Sequence, residues 1–267
     1  MTRSRHLPSG AGCPAALLGL GGLATFALLL EVLPRAGVLP ADYFPPASRI
    51  ALALLDEFGQ PAFREALGDT LLTWVTSLAI AVGAGIAVGV AIGSTPLVRD
   101  LTASTIEFLR PIPSVALIPG LIVLLGTGME STLVIAVYAS FWQVLVQVLY
   151  GVADVDPVAR ETAHSYRLKA RHRIRYVVWP TTLPYVMTGI RLAAAVALIL
   201  TITGELVIGT PGLGKKIDVA YSSGDVPSMY ALIAVTGLIG VLANVVTRRA
   251  ERWALVWHPS VRGESPA

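Results

Sequence analysis

With 267 residues, 54% apolar and only 14% charged, and a mean hydropathy of +0.69, the chain is far from a soluble average, in which about a quarter of residues carry charge. Its lone cysteine, Cys13, excludes a disulfide framework, a CxxC redox pair and a thiolate-rich metal site, and the scattered His6, His164, His172 and His258 lack HExxH-type spacing, so no metal is expected. A net charge of +3 could suggest nucleic acid, but in a membrane protein it more often marks basic residues held on one side of the bilayer.

Six runs have the length and apolarity to span: residues 15–33, 71–93, 114–128, 131–151, 183–208 and 229–246. Arg3 and Arg5 give the first run a basic flank. It is nevertheless long, and Leu33-Pro34-Arg35 offers no small-residue cleavage site, so a retained helix is expected. Gly10-Ala11-Gly12-Cys13 precedes this run, the wrong order for a lipid-attachment signal. Residues 34–69 read as a polar, proline-containing outer segment with a short surface helix around 49–58. The second run, about 35 Å long at 1.5 Å per residue, carries Gly85, Gly89 and Gly93 on one face, where another helix can approach closely. The third run is short and contains Pro119, so a re-entrant or broken helix is its alternative. In the fourth, Gln143 and Gln147 stand one turn apart, able to face a path or to bond to neighbouring helices.

Between the fourth and fifth runs, six of the 20 Lys and Arg fall within Arg160 to Arg175. Asp156 suits an N-cap and Pro157 the first helical position, so a helix is expected to start there. Ala159, Ala163, Tyr166 and Ala170 then form a small-residue stripe, and Arg160, His164, Arg167 and Arg171 a basic one, with Glu161 on neither. Such a helix can sit in a groove of another protein; the alternative is a basic loop touching anionic lipid headgroups. In the fifth run Arg191 and Glu205 are costly charges and so candidates for function. They lie about 21 Å apart along one helix and cannot pair. Snorkelling is the alternative for Arg191, and hydrogen bonding near the outer surface for Glu205.

After the fifth run, residues 209–215 fit GxxxxGK, but the next residue is Lys216 where a nucleotide site needs a Ser or Thr hydroxyl, and no strand precedes the loop. A glycine-rich turn back to the membrane is expected. An inside N-terminus places 14 Lys and Arg on the inner side, among them Arg99, Arg110 and Arg248, against 5 outside: Arg35, Arg49, Arg64, Lys215 and Lys216. That bias predicts cytoplasmic termini and a cytoplasmic basic loop.

Glu161-Thr162-Ala163 with its basic helix, then Val178-Trp179-Pro180, Leu183-Pro184 and Gly189-Ile190-Arg191-Leu192-Ala193, resembles the EAA loop in permease subunits of bacterial ABC importers. Arg110-Pro111-Ile112-Pro113, Ala116, Pro119, Gly126, Gly151-Val152, Gly204-Glu205 and Gly212-Leu213-Gly214 extend the likeness over residues 67–257, to the branch that serves aliphatic sulfonates, taurine, nitrate and pyrimidine precursors. The resemblance implies an all-α membrane protein of six transmembrane helices, a type I ABC importer transmembrane domain with a cytoplasmic coupling helix. It divides the chain into an N-terminal segment (1–66), that domain (67–250) and a cytoplasmic tail (251–267). A homodimer of such permeases in the bacterial plasma (inner) membrane would carry a small solute by alternating access. Two cytoplasmic ATPases would bind ATP and magnesium, and an extracytoplasmic binding protein would deliver substrate near residues 34–69 and 209–227. The permease itself would be no enzyme, hold no cofactor, lie in membrane lipid and contact no nucleic acid.

By the same resemblance, Asp156, Arg160, Glu161, Ala163, His164 and Arg167 would meet the ATPase, and Gln143, Gln147, Arg191 and Glu205 are candidates for the substrate path. The family usually has Ala after the Glu and Gly six residues after it; Thr162 and Arg167 stand here. Without that glycine the helix is expected to continue further, toward an acidic or polar groove on the partner. A secondary transporter normally needs more spans, often as inverted repeats, which the sequence lacks. An intramembrane enzyme needs a converging nucleophile and base, and none lies at membrane depth.

Overall fold

The computed structural model describes residues 15–257. Arg3, Arg5, His6, Cys13, His258 and Arg262 lie outside them, with residues 258–267 of the expected tail; α11 runs into that tail as far as Ala254. The described residues form helices α1 (Ala15–Arg35), α2 (Ala47–Gly59), α3 (Pro61–Gly93) and α4 (Pro96–Leu109), then a 3-10 turn (Ser114–Leu117) into α5 (Ile118–Leu125). There follow α6 (Met129–Ala153), α7 (Pro157–Ser165), α8 (Ala170–Arg173), a π-helical turn (Ile174–Val178) into α9 (Trp179–Ile208), α10 (Leu213–Ser223) and α11 (Val226–Ala254). No strand occurs among them.

Four described helices are long and apolar enough to cross a membrane: α3, α6, the continuous 39-residue rod Ala170–Ile208, and α11. The count of six spans is not matched by these four, and the third run takes its alternative form, a broken or re-entrant helix. Residues 114–128 supply only one arm of a bent pair, Pro96–Leu109 followed by Ser114–Leu125, turned through 81°. Counted as one span, the pair makes a fifth. The physical reason is the Pro111 and Pro113 pair, which lacks two backbone donors and cannot continue a helix. The first run is helical over the 21 residues of α1. Glu31 near its end accepts from the Ser48 backbone N–H (2.9 Å) and hydroxyl (3.1 Å), which ties α1 to the start of α2.

The other helices outrun their apolar cores. α3 has 33 residues, about 50 Å; it opens at Pro61, and its first turns carry Arg64, Glu65 and Asp69 beyond the apolar stretch. α11 starts at Asp225, whose side chain accepts from the Ser228 N–H, and continues through Arg248, Arg249 and Arg252.

α3, α6 and α9 pack into the core, and they do so through glycine. A Cβ at Gly85 would lie 2.7 Å from Val144 Cβ, at Gly89 2.6 Å from Val148 Cγ1, and at Gly93 2.9 Å from Val152 Cβ. Between α6 and α9 the same holds where Gly151 faces Thr182, Gly189 faces Val144 and Gln147, and Gly204 faces Thr132. Lipid tails are as apolar as leucine, so helices in a bilayer gain little from hiding apolar surface and associate by close packing instead. Val144, Val148, Val152, Val186 and Ala193 form the resulting cluster. A second cluster, with Phe63, Leu213, Ile217 and Leu232, joins α2, α10 and the first turns of α3 and α11 to α9.

Gly89→Ala should lower the thermal stability of the detergent-solubilised chain by about 1–3 kcal/mol, because the new methyl must displace Val148. Gly83→Ala on the same helix, where a Cβ meets nothing within 4 Å, should leave the melting temperature unchanged or raise it.

Candidate functional site

The basic loop folds as its residues dictate at its start. Asp156 caps α7, its carboxylate accepting the Val158 N–H at 2.8 Å, with Pro157 in the first turn. Its end departs from expectation. The helix stops at Ser165, and Arg167 takes φ +52°, the left-handed conformation. The Arg167 N–H bonds to the His164 carbonyl (2.9 Å) and the Leu168 N–H to the Ala163 carbonyl (3.0 Å), closing the paired bonds of a Schellman cap. The cap needs a left-handed residue at this place, where glycine costs nothing and arginine costs about 1–2 kcal/mol. The chain therefore bends at Arg167 despite the missing glycine. Both expected stripes are cut there, leaving Tyr166, Arg167, Ala170 and Arg171 exposed beyond the helix.

Two faces remain on α7. One carries Arg160, Ala163 and His164 and turns back toward the chain itself. Ala163 is buried, an Arg160 guanidinium N–H bonds to the Val152 carbonyl at the end of α6 (3.1 Å), and Arg173 donates to Nε2 of His164 (2.5 Å). The opposite face presents exposed Val158, Glu161, Thr162 and Ser165. Nearby, the Tyr185 hydroxyl of α9 donates to Asp154 just after α6 (3.0 Å). The loop is thus tied to the C-terminal end of α6, and Asp154 ties that same corner to the N-terminal part of α9.

The four candidates for a path do not converge. Arg191 forms an ion pair with Glu251 of α11 (3.2 Å), a partner the sequence reading missed. Gln143 and Gln147 sit half-buried on α6 where it crosses Gly189 of α9. Glu205 is 1% exposed near the outer end of α9. Its Oε2 accepts from the Thr70 hydroxyl of α3 and from the Gly214 backbone N–H, both at 2.9 Å. The Thr70 oxygen in turn accepts from the Leu213 N–H at 2.8 Å. This network explains the glycine-rich turn. A Cβ on Gly212 would collide with the Glu205 carboxyl, and one on Gly214 with the Ile202 carbonyl. Lys216 pairs instead with buried Glu57 of α2 at 2.6 Å.

Sequence reasoning also underrated Arg110. It lies at the bend between α4 and α5, beside Leu109, whose carbonyl accepts the hydroxyl of Tyr138 near the middle of α6 (2.9 Å). Arg110 is exposed and has no carboxylate in ion-pair range among the described residues. One turn along α6 from Tyr138, the buried indole N–H of Trp142 has no acceptor among them. The clue was there in two prolines closely following an arginine.

Residues 62–255 match the family described as binding-protein-dependent transport system inner membrane component. The chain belongs to that family, as the membrane-spanning permease subunit of an ABC importer. It is 28% identical over 250 residues to the taurine transport system permease protein TauC of Escherichia coli (strain K12), covering 92% of this chain and 91% of that one. It is 23% identical over 240 residues to the putative aliphatic sulfonates transport permease protein SsuC of Bacillus subtilis (strain 168), covering 90% and 87%. The fold is similar to that of the methionine ABC transporter MetNI solved in inward-facing conformations, with a TM-score of 0.60 at 18% identity over 72% of this chain and 95% of that one.

Thr70→Val should lower stability by about 1–3 kcal/mol, because it strips the Leu213 N–H of its acceptor and Glu205 of a donor. Arg167→Gly should raise stability by about 1 kcal/mol by relieving the left-handed arginine. Thermal unfolding of the purified chain reads both.

Proposed function

We propose that the outward face of α7 is the coupling surface, where a separate cytoplasmic ATPase engages the permease. The observation that carries this reading is the division of labour on α7. Arg160, Ala163 and His164 bind the helix to its own chain, while the exposed Val158, Glu161, Thr162 and Ser165 contribute no side-chain tie to the rest of the chain, the Thr162 hydroxyl bonding only back to the Val158 carbonyl of the same helix. Glu161 is the charged centre of that free face. Asp156 acts there as the cap that keeps α7 folded and Arg167 as the bend that ends it. Two copies of the chain, with cytoplasmic termini, enclose the path, and closure of an ATP-bound ATPase pair biases them between inward-open and outward-open states. The outer recess lined by Glu57, Glu65, Asp69, Lys215, Lys216 and Asp225 receives the binding protein.

The cargo is a small anion or zwitterion with an anionic head of the sulfonate or nitrate type. The relatives named for taurine, aliphatic sulfonates and nitrate support this, and so does Arg110. The charge count puts Arg110 on the inner side, but it stands instead at the bend of the broken pair, next to Leu109, which bonds to Tyr138 near the middle of α6. A cation at that depth is expensive unless it meets water or a counter-charge, and an anion in transit supplies the counter-charge.

In the reconstituted assembly, Glu161→Lys should cut solute import per ATP by about tenfold or more, since reversing a charge at an interface costs at least about 1.4 kcal/mol. Import by this chain alone on an ion gradient would refute the reading. Arg110→Gln should lower import of a sulfonate by a similar factor while leaving basal ATP hydrolysis intact; equal import by wild type and variant would remove Arg110 from the path.

A further inference from the structure

Behind α7, on the face turned away from the proposed ATPase surface, lies a cavity of about 660 Å³. Its mouth is lined by Arg99 of α4, Arg160 and His164 of α7, and Arg173 of α8, and no acidic side chain lines it. The neighbouring carboxylates are engaged elsewhere. Asp154 accepts from Tyr185, Asp156 caps α7, and Glu161 stands on the opposite face. Only Asp100 approaches, 3.9 Å from Arg99 and largely exposed. Arg173 donates to the His164 ring, so neither group is held by a carboxylate. The rest of the lining is mostly small or apolar, with Val90 and Ala91 of α3 and Val177 and Val178 of the π-helical turn.

We infer that this cavity binds the phosphate headgroup of an anionic membrane lipid, with an acyl chain running along the α3 wall. A phosphate ester accepts several charge-assisted hydrogen bonds, and guanidinium groups in a fixed fork match it in geometry as well as charge. Basic pockets between helices on the cytoplasmic side suit such headgroups. A free phosphate would satisfy the mouth but leave the apolar wall unused. Composition alone suggests a basic loop lying on a lipid surface; the fold gathers two of its arginines, a histidine and Arg99 into one concave site.

The test uses the full chain in neutral detergent, titrated in three arms with phosphatidylglycerol, with phosphatidylcholine of the same acyl chains, and with inorganic phosphate. Thermal unfolding is the readout. Phosphatidylglycerol at a hundredfold excess over its Kd should raise Tm by about 5 °C, and the other two should not. Arg99→Gln combined with Arg173→Gln should abolish the selective rise while melting normally in phosphatidylcholine. Arg248→Gln combined with Arg252→Gln, which removes the same charge from the end of α11, should keep it. An equal rise with both lipids, or a rise that survives Arg99→Gln and Arg173→Gln, overturns the site. A rise with inorganic phosphate and none with phosphatidylglycerol overturns the lipid as occupant. Should the double variant melt early in phosphatidylcholine, Arg99→Lys with Arg173→Lys replaces it, and loss of the selective rise there would count against a charge-based site.

Discussion

The protein depends on backbones being allowed to touch inside a solvent that rewards nothing else. In water, burying a leucine drives helices together; in hydrocarbon that gain is absent, and what remains is van der Waals contact and hydrogen bonding. α6 is gripped on both sides on those terms. Gly85, Gly89 and Gly93 admit its valines from the α3 side, and Gly189 and Gly204 admit it from the α9 side. Valine suits the role because its single favoured rotamer in a helix costs little entropy to fix. The basic loop and α10 and α11 are attached to this three-helix block, and α1 is tied on through α2.

The attachments at the two ends of the block are polar and differ in kind. At the C-terminal end of α9 a buried carboxyl, Glu205, organises a loop by collecting N–H and O–H donors, and Gly212 and Gly214 are needed because the carboxyl and the Ile202 carbonyl occupy the space side chains would need. At the α7 end Tyr185 bonds to the Asp154 carboxylate, but the arginine ties are to main-chain and ring acceptors, Arg160 to a carbonyl and Arg173 to an imidazole. That choice leaves the arginines' charge uncompensated by the protein, whereas Arg191 and Lys216 are neutralised by Glu251 and Glu57. The surplus is concentrated where, in the proposed assembly, the chain meets lipid headgroups and a second protein.

How much of this could be read from residues alone depended on the range of the interaction. Signals within one turn were legible: the Asp156 cap, the glycine face of α3, and the turn after α9 with its misleading likeness to a phosphate loop. The bend of 81° at Pro111 and Pro113 was half legible, since the prolines forbid a straight helix but do not say which flanking segments join into one broken rod. Arg167 was misjudged because propensity was weighed without the cap. A Schellman closure fixed by Ala163 and His164 carbonyls outweighs about 1–2 kcal/mol of left-handed strain. The Glu205 network spans 135 residues between Thr70 and Glu205, and no local pattern encodes such a pair. The same applies to Arg191 with Glu251, 60 positions apart.

The mechanical consequence lies in which joints are stiff. α7 is fastened to α6 through Arg160 and, by a loop of only three residues, through the chain itself; α9 is fastened to the same corner through Tyr185 and Asp154. Gly151 lies so close to Thr182 that a single Cβ would reach 2.8 Å, so the inner ends of α6 and α9 cannot slide past one another without opening that contact. Close-packed interiors of this kind transmit displacement and do not absorb it. A pull on α7 therefore moves α6 and α9 together. Compliance is left to the joints that lack such packing, above all the proline-broken corner at Arg110, where the held Leu109 carbonyl gives way to the 3-10 turn at Ser114. In the proposed assembly, a close-packed block working against one proline-broken, charged corner would let a path change shape around an anion while its helices stay intact.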